Sequence, residues 1–571
     1  MNTAGVAVLE KRGRFLVAEP AFDRDGRRLS LDSQSSKGAG VGDLVLLGIG
    51  KRGVRVVRRL GRPDVARDVL EAFMLDRDLR RTFPRQVEAE AADVAAEPAW
   101  EGPRRDLTDL ATFTIDPLGA KDYDDAVSAE REGERVRVWV HIADVSAYVR
   151  PGSAIERETY RRATSVYVPG AVEAMIPEAL SNDACSLKAG VARNAVTVEM
   201  LMAGPDVVST AFYRSVIRSD RRLTYGEVDQ LFAGELEPEA PWGEPLAAAR
   251  SVAAALQERR EQRGALAVES SEPRFTFDHR GDVVAVAYEE QTEAHRVIEH
   301  LMIAANERVA DYLAERKQPT LYRVHERPDP QAVAWLVERL ESLDVPTPPL
   351  PSNMTPQQAA DVIGEISRLV VQHIRRTGRG ARALQSMVLR SLKQAYYSPR
   401  NLGHAGLASP RYCHFTSPIR RYPDLIAHRA LLASLGVDDA APRGNELDDA
   451  GVHSSQAERH AMLIERDADD ICLAFLLERR LADLGYETAW EGEVVSLIRS
   501  GVFVKFGDEG FGGFLPLRRM RGDWWELNEH ETMIVGSDSG RVIRLGDPIR
   551  VEVARVETLR GRVDLVPAPE V

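Results

Sequence analysis

Two blocks of short, β-branched segments, one at each end of the 571-residue chain, constrain its fold more than any other feature. The first block comprises VAVLE, RFLVAE, DLVLLGI and VRVVRRL within residues 1–62, with Gly- and Asp-containing turns between them. The second block comprises WEGEVVSLI, GVFVKF, GGFLPL, DPIRVEVARVE and RVDLV within residues 487–571. About five short strands in so few residues are typical of a small barrel of the OB type. We therefore expect one such barrel at each end.

The middle of the chain indicates a different architecture, because strands and helices alternate there without an obvious break. Apolar residues at helical spacing predict helices at 245–263, 293–316 and 359–377, and a long one over Leu447–Leu484 that ends at Gly485. Residues 63–103 are first helical and then polar and rich in Ala and Glu, which indicates a linker. The predicted fold class is multidomain α+β, with a mixed α/β domain over 104–486 flanked by the two barrels.

The net charge of −13 hides a gradient along the chain. Residues 1–62 carry 13 Lys and Arg against six Asp and Glu, whereas the whole chain carries 75 against 88. A basic module on an acidic chain is the pattern expected of a surface that binds the backbone of a nucleic acid. A merely solvated positive surface is the alternative, and composition alone leaves both open.

Several classes of protein are disfavoured by simple patterns. No apolar run approaches the roughly 20 residues that a membrane span needs, and the sequence starts without the apolar core of a signal peptide. Cys185, Cys413 and Cys472 form no CxxC pair and no disulfide or zinc spacing. We therefore expect a cytoplasmic protein with no membrane partner.

Glycine-rich patterns give no sign of a nucleotide cofactor. The GxGxxG at residues 48–53 is followed by a strand instead of the helix that a dinucleotide site needs, so it indicates a basic hairpin turn. The chain also contains no GxxxxGK[ST] motif. We expect no nucleotide cofactor.

The most informative segment is TIDPLGAKDYDDA, which places four aspartates within ten residues: Asp116, Asp122, Asp124 and Asp125. Like charges crowded in this way repel each other unless a cation neutralises them. Carboxylate oxygens suit Mg²⁺ or Mn²⁺, and no set of Cys and His for zinc lies nearby. In an extended segment Asp122 and Asp124 share one side, and the Pro-Gly turn can return Asp116 towards them.

Two other interpretations apply to a segment of this composition. An EF-hand fails, because the sixth position from Asp116 is Lys121 instead of Gly and the twelfth is Val127 instead of Glu. A solvated acidic loop fits the spacing as well as a metal site does. The apolar flanks FTI and VWVHIADV favour the metal site, because they place the loop between two candidate buried strands.

A second segment, YCHFTSPIRRYPDLIAHR over 412–429, groups two arginines, two hydroxyls and aromatic rings around a Ser-Pro turn that leads into a helix. The planar fork of an arginine matches phosphate, and helix N-termini attract anions. A surface helix start with salt bridges is the alternative. Beside a metal-type aspartate cluster, an arginine able to meet a phosphate indicates phosphodiester hydrolysis.

These motifs resemble the RNB catalytic domain of the RNase II/RNase R family. The similarity extends in order through HIADVSAYV, TSVYVPG, MIPEALSNDACSL, RLTY, VIEHLMIAAN and LYRVHERP, and GEVVSLIRSGVFVKF…GGFLPL resembles the S1 RNA-binding domain. The first barrel is similar to a cold-shock domain, in one short copy. The resemblance implies an Mg²⁺-dependent, processive 3′-to-5′ exoribonuclease that acts on single-stranded RNA, releases nucleoside 5′-monophosphates and works as a monomer.

The resemblance also implies roles for individual residues. The four aspartates fill the metal motif, and Asp124 matches the one most critical for turnover. Arg420 matches the arginine on the phosphate, and Glu465 a glutamate near the active site. Residues implied to contact RNA are Tyr167, which stacks on the terminal bases, Tyr225 and Glu299, which favour ribose, and Arg420. From their position in the barrel, Phe503, Phe506 and Phe514 are further candidates for stacking, although some of them are expected to be barrel core.

Three departures from the family pattern limit how far the roles of family residues apply to this chain. Val268 stands where members commonly place a second aromatic clamp, Ala405 replaces a usual Phe, and Glu299-His300 replaces a common Glu-Glu pair. The first two leave the end-product length open. Two rival functions also remain: a regulator that binds RNA without cleaving it, and a nuclease of different polarity or sugar preference.

Overall fold

The structure is a computed structural model that describes residues 3–13, 15–23, 26–31, 36, 38–50, 53–100, 102–265, 271–438, 440–520 and 522–569. Its N-terminal part is an antiparallel sheet in the order β3-β2-β1-β4-β5. The strands are β1 (Thr3–Arg12), β2 (Phe15–Pro20), β3 (Leu29–Leu31), β4 (Leu44–Gly50) and β5 (Gly53–Gly61). The predicted strands are confirmed, although no ladder closes this sheet into a ring among the described residues.

The glycine-rich turn at residues 48–53 joins two strands. Gly50 pairs with Gly53 across the β4–β5 hairpin, and residues 51 and 52 lie outside the described residues. Because a strand follows the turn, the predicted hairpin is confirmed.

Residues 63–103 contain two helices, α1 (Ala66–Asp76) and α2 (Arg85–Ala96). The prediction of a linker is wrong over α2. Val87 and Ala91 of this helix are buried, and the Glu90 carboxylate accepts a hydrogen bond from the backbone N–H of Ala154 at 2.8 Å. The Ala- and Glu-rich composition therefore forms a docked helix, since alanines every few residues give it a narrow apolar face.

The central domain is built on a seven-stranded sheet in the order β14-β7-β8-β9-β12-β13-β6. The strands of this part are β6 (Arg105–Leu107), β7 (Phe113–Asp116), β8 (Asp125–Glu132), β9 (Arg135–Ala143), β10 (Val166–Val168), β11 (Ala171–Glu173), β12 (Ala192–Ala203), β13 (Asp206–Arg218) and β14 (Arg221–Thr224). Strands β10 and β11 form a separate hairpin. Two further strand pairs of the chain are short: β15 (Glu272–Phe277) with β16 (Val283–Glu289), and β17 (Tyr322–Val324) with β18 (Tyr396–Ser398).

Helices cover the sheet and extend to the C-terminal barrel. They are α3 (Ala154–Arg162), α4 (Tyr225–Ala233), α5 (Gly243–Gln262), α6 (Glu293–Glu315), α7 (Pro330–Glu341), α8 (Pro356–Thr377), α9 (Ala381–Arg390), α10 (Tyr422–Ser434) and α11 (Leu447–Leu484). The apolar faces of α5, α6 and α10 share one core with β7, β8, β9 and β12. The long helix predicted from periodicity is confirmed as α11, and Gly485 follows its last residue.

The C-terminal strands close into a barrel in the order β19-β20-β21-β26-β25. They are β19 (Trp490–Ile498), β20 (Gly501–Phe506), β21 (Phe511–Pro516), β22 (Trp525–Leu527), β23 (Met533–Gly536), β24 (Val542–Arg544), β25 (Pro548–Glu557) and β26 (Arg562–Pro567). Strands β22 to β24 form a small sheet beside it. No helix of the described residues is long and apolar enough to cross a membrane.

Candidate active site

The aspartate segment connects two buried strands of the central sheet. Asp116 is the last residue of β7, and Asp125 is the first of β8. Phe113 and Ile115 before the loop and Val127 after it are buried in the core, which fixes both ends of the loop. The prediction that apolar flanks hold the loop between buried strands is confirmed.

Asp124 is the most enclosed of the four aspartates, with only 4% of its surface exposed. Its Oδ1 accepts a hydrogen bond from the backbone N–H of Ile419 at 2.9 Å. Its Oδ2 lies 3.4 Å from Nε of Arg420, as an ion pair without a hydrogen bond. The two segments singled out in the sequence, almost 300 residues apart, therefore meet at this carboxylate.

Burial makes the negative charges of this cluster costly. It raises the pKa of Asp116 to about 7, with Asp125 adding to the shift, and it raises the pKa of Asp125 to about 6. Burial also raises the pKa of Asp124 well above its usual range, although Arg420 opposes that shift. The neighbouring arginines therefore do not balance the negative charge that the four aspartates would carry.

The donor set fits a divalent cation. Oδ2 of Asp116 and Oδ2 of Asp124 are buried and have no hydrogen-bond partner. Carboxylate oxygens left without partners in a charge-deficient cluster are the ligands that Mg²⁺ or Mn²⁺ prefers. Among the described residues, however, no three His, Cys, Asp or Glu side chains converge on one point in this conformation.

Tyr167 connects the aspartate loop to the long helix. Its hydroxyl donates to Oδ2 of Asp122 at 3.0 Å, and its backbone N–H donates to Oε1 of Glu465 on α11 at 2.8 Å. The side of its ring is accessible, since 39% of the residue is exposed. Glu465 therefore lies at the site by holding β10, and not by contacting an aspartate directly.

Tyr225 lies beside the aspartates at the start of α4, and Glu299 lies on the neighbouring helix α6. Tyr225 follows Thr224, which pairs with Asp116 across the sheet, and its ring stacks on His295 with centroids 3.7 Å apart. Glu299 lies one helical turn after His295 on α6, and Nη1 of Arg260 is 3.3 Å from its Oε1. Sequence reasoning missed His295 and Arg260. The four-residue spacing of His295 and Glu299 was the available signal, because it places both on one helix face.

The three aromatic residues of the C-terminal barrel separate into two groups. Phe503 is 42% exposed, and its ring lies 5.0 Å from that of Phe514. Phe506 is only 1% exposed and packs against Trp490 and Phe511 in the barrel core. The expectation that Phe506 offers a stacking surface is wrong, because an odd separation along a strand places Phe506 and Phe503 on opposite faces.

The departures from the family pattern lie in different places. Val268 falls outside the described residues. Ala405 lies in a short turn, where its N–H donates to the carbonyl of His325 at 2.8 Å. His300 accepts a hydrogen bond from Nη1 of Arg260 at 2.7 Å, so the substituted position is packed against the same arginine that contacts Glu299.

Comparisons with known proteins agree with this geometry. Residues 104–436 match the RNB domain, and residues 486–566 match the S1 RNA binding domain. Ribonuclease R of Escherichia coli (strain K12) is 32% identical over 567 residues, covering 95% of this chain and 68% of that protein. Ribonuclease R of Aquifex aeolicus (strain VF5) is 34% identical over 526 residues, covering 89% and 72%. The apo form of Mycoplasma genitalium RNase R has a TM-score of 0.89 at 25% identity, covering 99% of this chain and 90% of that one.

The fold and the site define a nuclease with an RNB catalytic domain and an S1 RNA-binding domain. The chain belongs to the ribonuclease R group of the RNB family, and it is a 3′-to-5′ exoribonuclease.

Proposed function

We propose that this chain degrades single-stranded RNA processively by Mg²⁺-dependent hydrolysis and releases nucleoside 5′-monophosphates. The observation that carries the proposal is the meeting of the buried Asp124 with Arg420, whose side chain is 48% exposed. Asp116, Asp122, Asp124 and Asp125 would hold the metal, which supplies an activated water and charge for the leaving oxygen. Mn²⁺ is the alternative ion.

Arg420 supplies the fixed positive charge of the site. Its side chain is half exposed, with Nε close to Asp124 and Nη2 donating to Oγ of Ser417 at 3.3 Å, so part of the fork remains accessible to a ligand. Arginine forks bind phosphate through two parallel N–H groups. We assign to Arg420 the binding of the scissile phosphate and the compensation of charge that builds up on it.

Two tyrosines and a glutamate would recognise the end of the strand. The exposed ring of Tyr167 offers a surface for the terminal bases, with its hydroxyl fixed on Asp122. Tyr225, held flat against His295, and Glu299, beside Arg260, would contact the ribose. Tyr225 follows the strand that pairs with Asp116, which supports recognition of the last nucleotide instead of one far from the cut.

The terminal modules would hold the upstream strand. The N-terminal sheet exposes many cations, and the C-terminal barrel exposes the Phe503–Phe514 pair. Charge contributes affinity without sequence preference, and stacking adds to it. We assign residues 1–62 and 487–571 to RNA binding and 104–486 to catalysis, with α11 included in the catalytic domain. A monomer in the cytoplasm, with no nucleotide cofactor, completes the proposal.

One experiment separates this proposal from its rivals. We would incubate 5′-labelled RNA and DNA oligonucleotides with the chain in Mg²⁺ or in EDTA, and size the products over time. The proposal expects the labelled RNA to shorten from the 3′ end in Mg²⁺ only, down to one short final fragment, with unlabelled nucleoside monophosphates recovered by chromatography. Intact RNA would favour a binding regulator, and equal cleavage of DNA or internal cuts would favour a different nuclease. Asp109→Asn, which alters a fully exposed carboxylate, is the control for Asp124→Asn.

A further inference from the structure

Two adjacent arginines lie in the turn that contacts Asp124, but only one of them faces the catalytic cleft. Arg421 is engaged by Asp424, with Nε 2.9 Å from Oδ2 and Nη2 2.8 Å from Oδ1. This is a two-pronged pairing of the type that arginine and carboxylate make most strongly. Asp424 itself is fully buried. Arg421 is therefore paired in two places with a carboxylate of its own turn, whereas Arg420 is 48% exposed and pairs only through Nε with Asp124 of the aspartate cluster.

The same carboxylate also holds the start of the turn. Oδ1 of Asp424 accepts a hydrogen bond from the backbone N–H of Ser417 at 2.8 Å. Asp424 thus connects Ser417 to Arg421 and closes the turn between them. A carboxylate that accepts from both ends of a turn fixes its shape more firmly than either bond alone.

The residues inside the closed turn make the contacts with the catalytic aspartate. The N–H of Ile419 donates to Oδ1 of Asp124, and Nη2 of Arg420 donates to Oγ of Ser417 at 3.3 Å. A displacement of the turn would move both contacts together. The side-chain orientations of Asp124 and Arg420 therefore both depend on the conformation of the turn between Ser417 and Arg421.

Two further buried side chains hold the segment that precedes the turn. His428, four residues after Asp424 on α10, donates from Nε2 to the carbonyl of Phe415 at 2.9 Å and stacks on its ring at 4.1 Å. Asn306 of α6 accepts from the N–H of Phe415 at 2.9 Å and donates to the hydroxyl of Tyr412 at 3.0 Å. The approach is thus fixed on two helices, and the backbone of the turn is closed by the N–H groups of Arg420 and Arg421 on the carbonyl of Ser417, at 3.3 and 3.0 Å. Asp424 is the side chain that joins the two ends of this turn.

We propose that Asp424 is a positioning residue that selects Arg420 as the phosphate-binding arginine, by neutralising Arg421 and closing the turn between Ser417 and Arg421. This inference rests on the proposed function, since it concerns how the same site acts on phosphate. In Asp424→Asn the amide keeps an acceptor for Ser417 but leaves Arg421 without its counter-charge. Without its counter-charge, the partly enclosed Arg421, 24% exposed in its side chain, attracts another anion, and the candidates are the aspartate loop and the RNA phosphate.

The test compares Asp424→Asn with Asp438→Asn. Asp438 is also buried and also paired with arginines, at 2.8 Å from Arg150 and 2.6 Å from Arg214, but it has no contact with the turn. For each variant we would measure the melting temperature, the affinity for a single-stranded RNA in EDTA, and the single-turnover cleavage rate in Mg²⁺. We expect Asp424→Asn to cleave about 100-fold more slowly with RNA affinity unchanged or tighter. Asp438→Asn should lose stability but stay within about threefold of the wild-type rate.

A second variant tests the selection between the arginines. Removing the unmatched charge in the double variant Arg421→Met, Asp424→Asn should recover at least tenfold of the lost rate. The inference is overturned by a wild-type rate in Asp424→Asn, by equal slowing in the two single variants, or by no recovery in the double variant. A wild-type chain that leaves RNA intact would instead refute the proposed function, so the two failures are distinguishable.

Discussion

The catalytic site and the N-terminal sheet differ in where their charged side chains lie: the site buries carboxylates, whereas the sheet exposes cations. In the cleft, Asp116 and Asp124 are removed from water, and the pKa of each is raised by burial. In the sheet, the described cations stay in solvent; they are Lys11, Arg12, Arg27, Arg28, Arg55, Arg58, Arg59 and Arg62. Several of these surface cations pair with acids, including Arg58 with Glu71 and Arg62 with Asp64.

The difference indicates that catalysis and RNA affinity depend on different residues of the chain. Buried carboxylates cost stability but interact strongly with a metal ion and a phosphate, because little water screens them. Exposed cations cost little and attract any nucleic-acid backbone, but salt weakens that attraction. Chemistry and affinity should therefore respond to different substitutions, and the following predictions test that separation.

The largest expected effect belongs to the cleft. Asp124→Asn should lower the single-turnover rate by on the order of 10³-fold or more, because it removes a charge from the carboxylate that meets Arg420. RNA affinity in EDTA should change little, since phosphate contacts elsewhere supply most of it. Single-turnover kinetics and fluorescence anisotropy check the two halves. A normal rate would show that this cluster is not catalytic.

Metal binding is the next effect in size. Saturating Mg²⁺ should stabilise the wild-type chain by roughly 2–3 kcal/mol at about 100 times its dissociation constant. In Asp116→Asn this gain should shrink, because Oδ2 of Asp116 is one of the two unpartnered oxygens. Thermal melting with Mg²⁺ and with EDTA measures the gain. An identical Mg²⁺ shift in both chains would place the ion elsewhere.

Tyr167→Ala tests a residue at the active site that is expected to contribute to RNA affinity and not to the chemical step. A base that stacks on an aromatic ring contributes about 1–3 kcal/mol, so loss of the ring should release short remnants sooner and lengthen the final fragment. The early rate on long RNA should stay nearly normal. Tyr167→Phe is the control, because it keeps the ring and loses only the bond to Asp122. A final fragment of wild-type length from an alanine variant that melts early would contradict the stacking role.

The smallest effects should come from single surface charges. Deleting residues 1–62 should weaken RNA binding and flatten its salt dependence, but it would also uncover Val69 and Phe73, which share a core with that sheet. Lys11→Gln with Arg27→Gln is therefore the sharper test. Each lost phosphate contact should reduce the slope of log affinity against log salt by about 0.7 on a single strand. An unchanged slope, with cleavage also unchanged, would mean that these two cations do not touch RNA.

The parts of the molecule that the sequence predicted best are those with a local signal. The bounds of α11 follow from its apolar spacing and from Gly485, and the aspartate loop follows from its apolar flanks. The family resemblance implied that Asp124 and Arg420 act at one site, but their ion pair and the bond from Ile419 were not predicted, since no local pattern connects residues so far apart.

The errors have physical reasons as well. The helical nature of α2 depends on burial against α3, which composition alone does not reveal. Phe506 was offered for stacking although the two-residue period of a strand separates it from Phe503. The stack of His295 on Tyr225 and the bonds of Asn306 to the 412–415 segment arise only when distant elements pack together.

The helix α11 contacts three different parts of the molecule within a short stretch of its length. Within two turns of this helix, Glu465 accepts a hydrogen bond from Tyr167 of the catalytic domain, and Asp467 lies 3.9 Å from Arg77, which follows α1. Gly561 of the C-terminal barrel lies so close to Asp470 that an added Cβ would be 2.6 Å from its carbonyl carbon. Three modules therefore contact α11 within about 10 Å along its axis. A hinge motion that separates any two of these modules must therefore break a contact with α11.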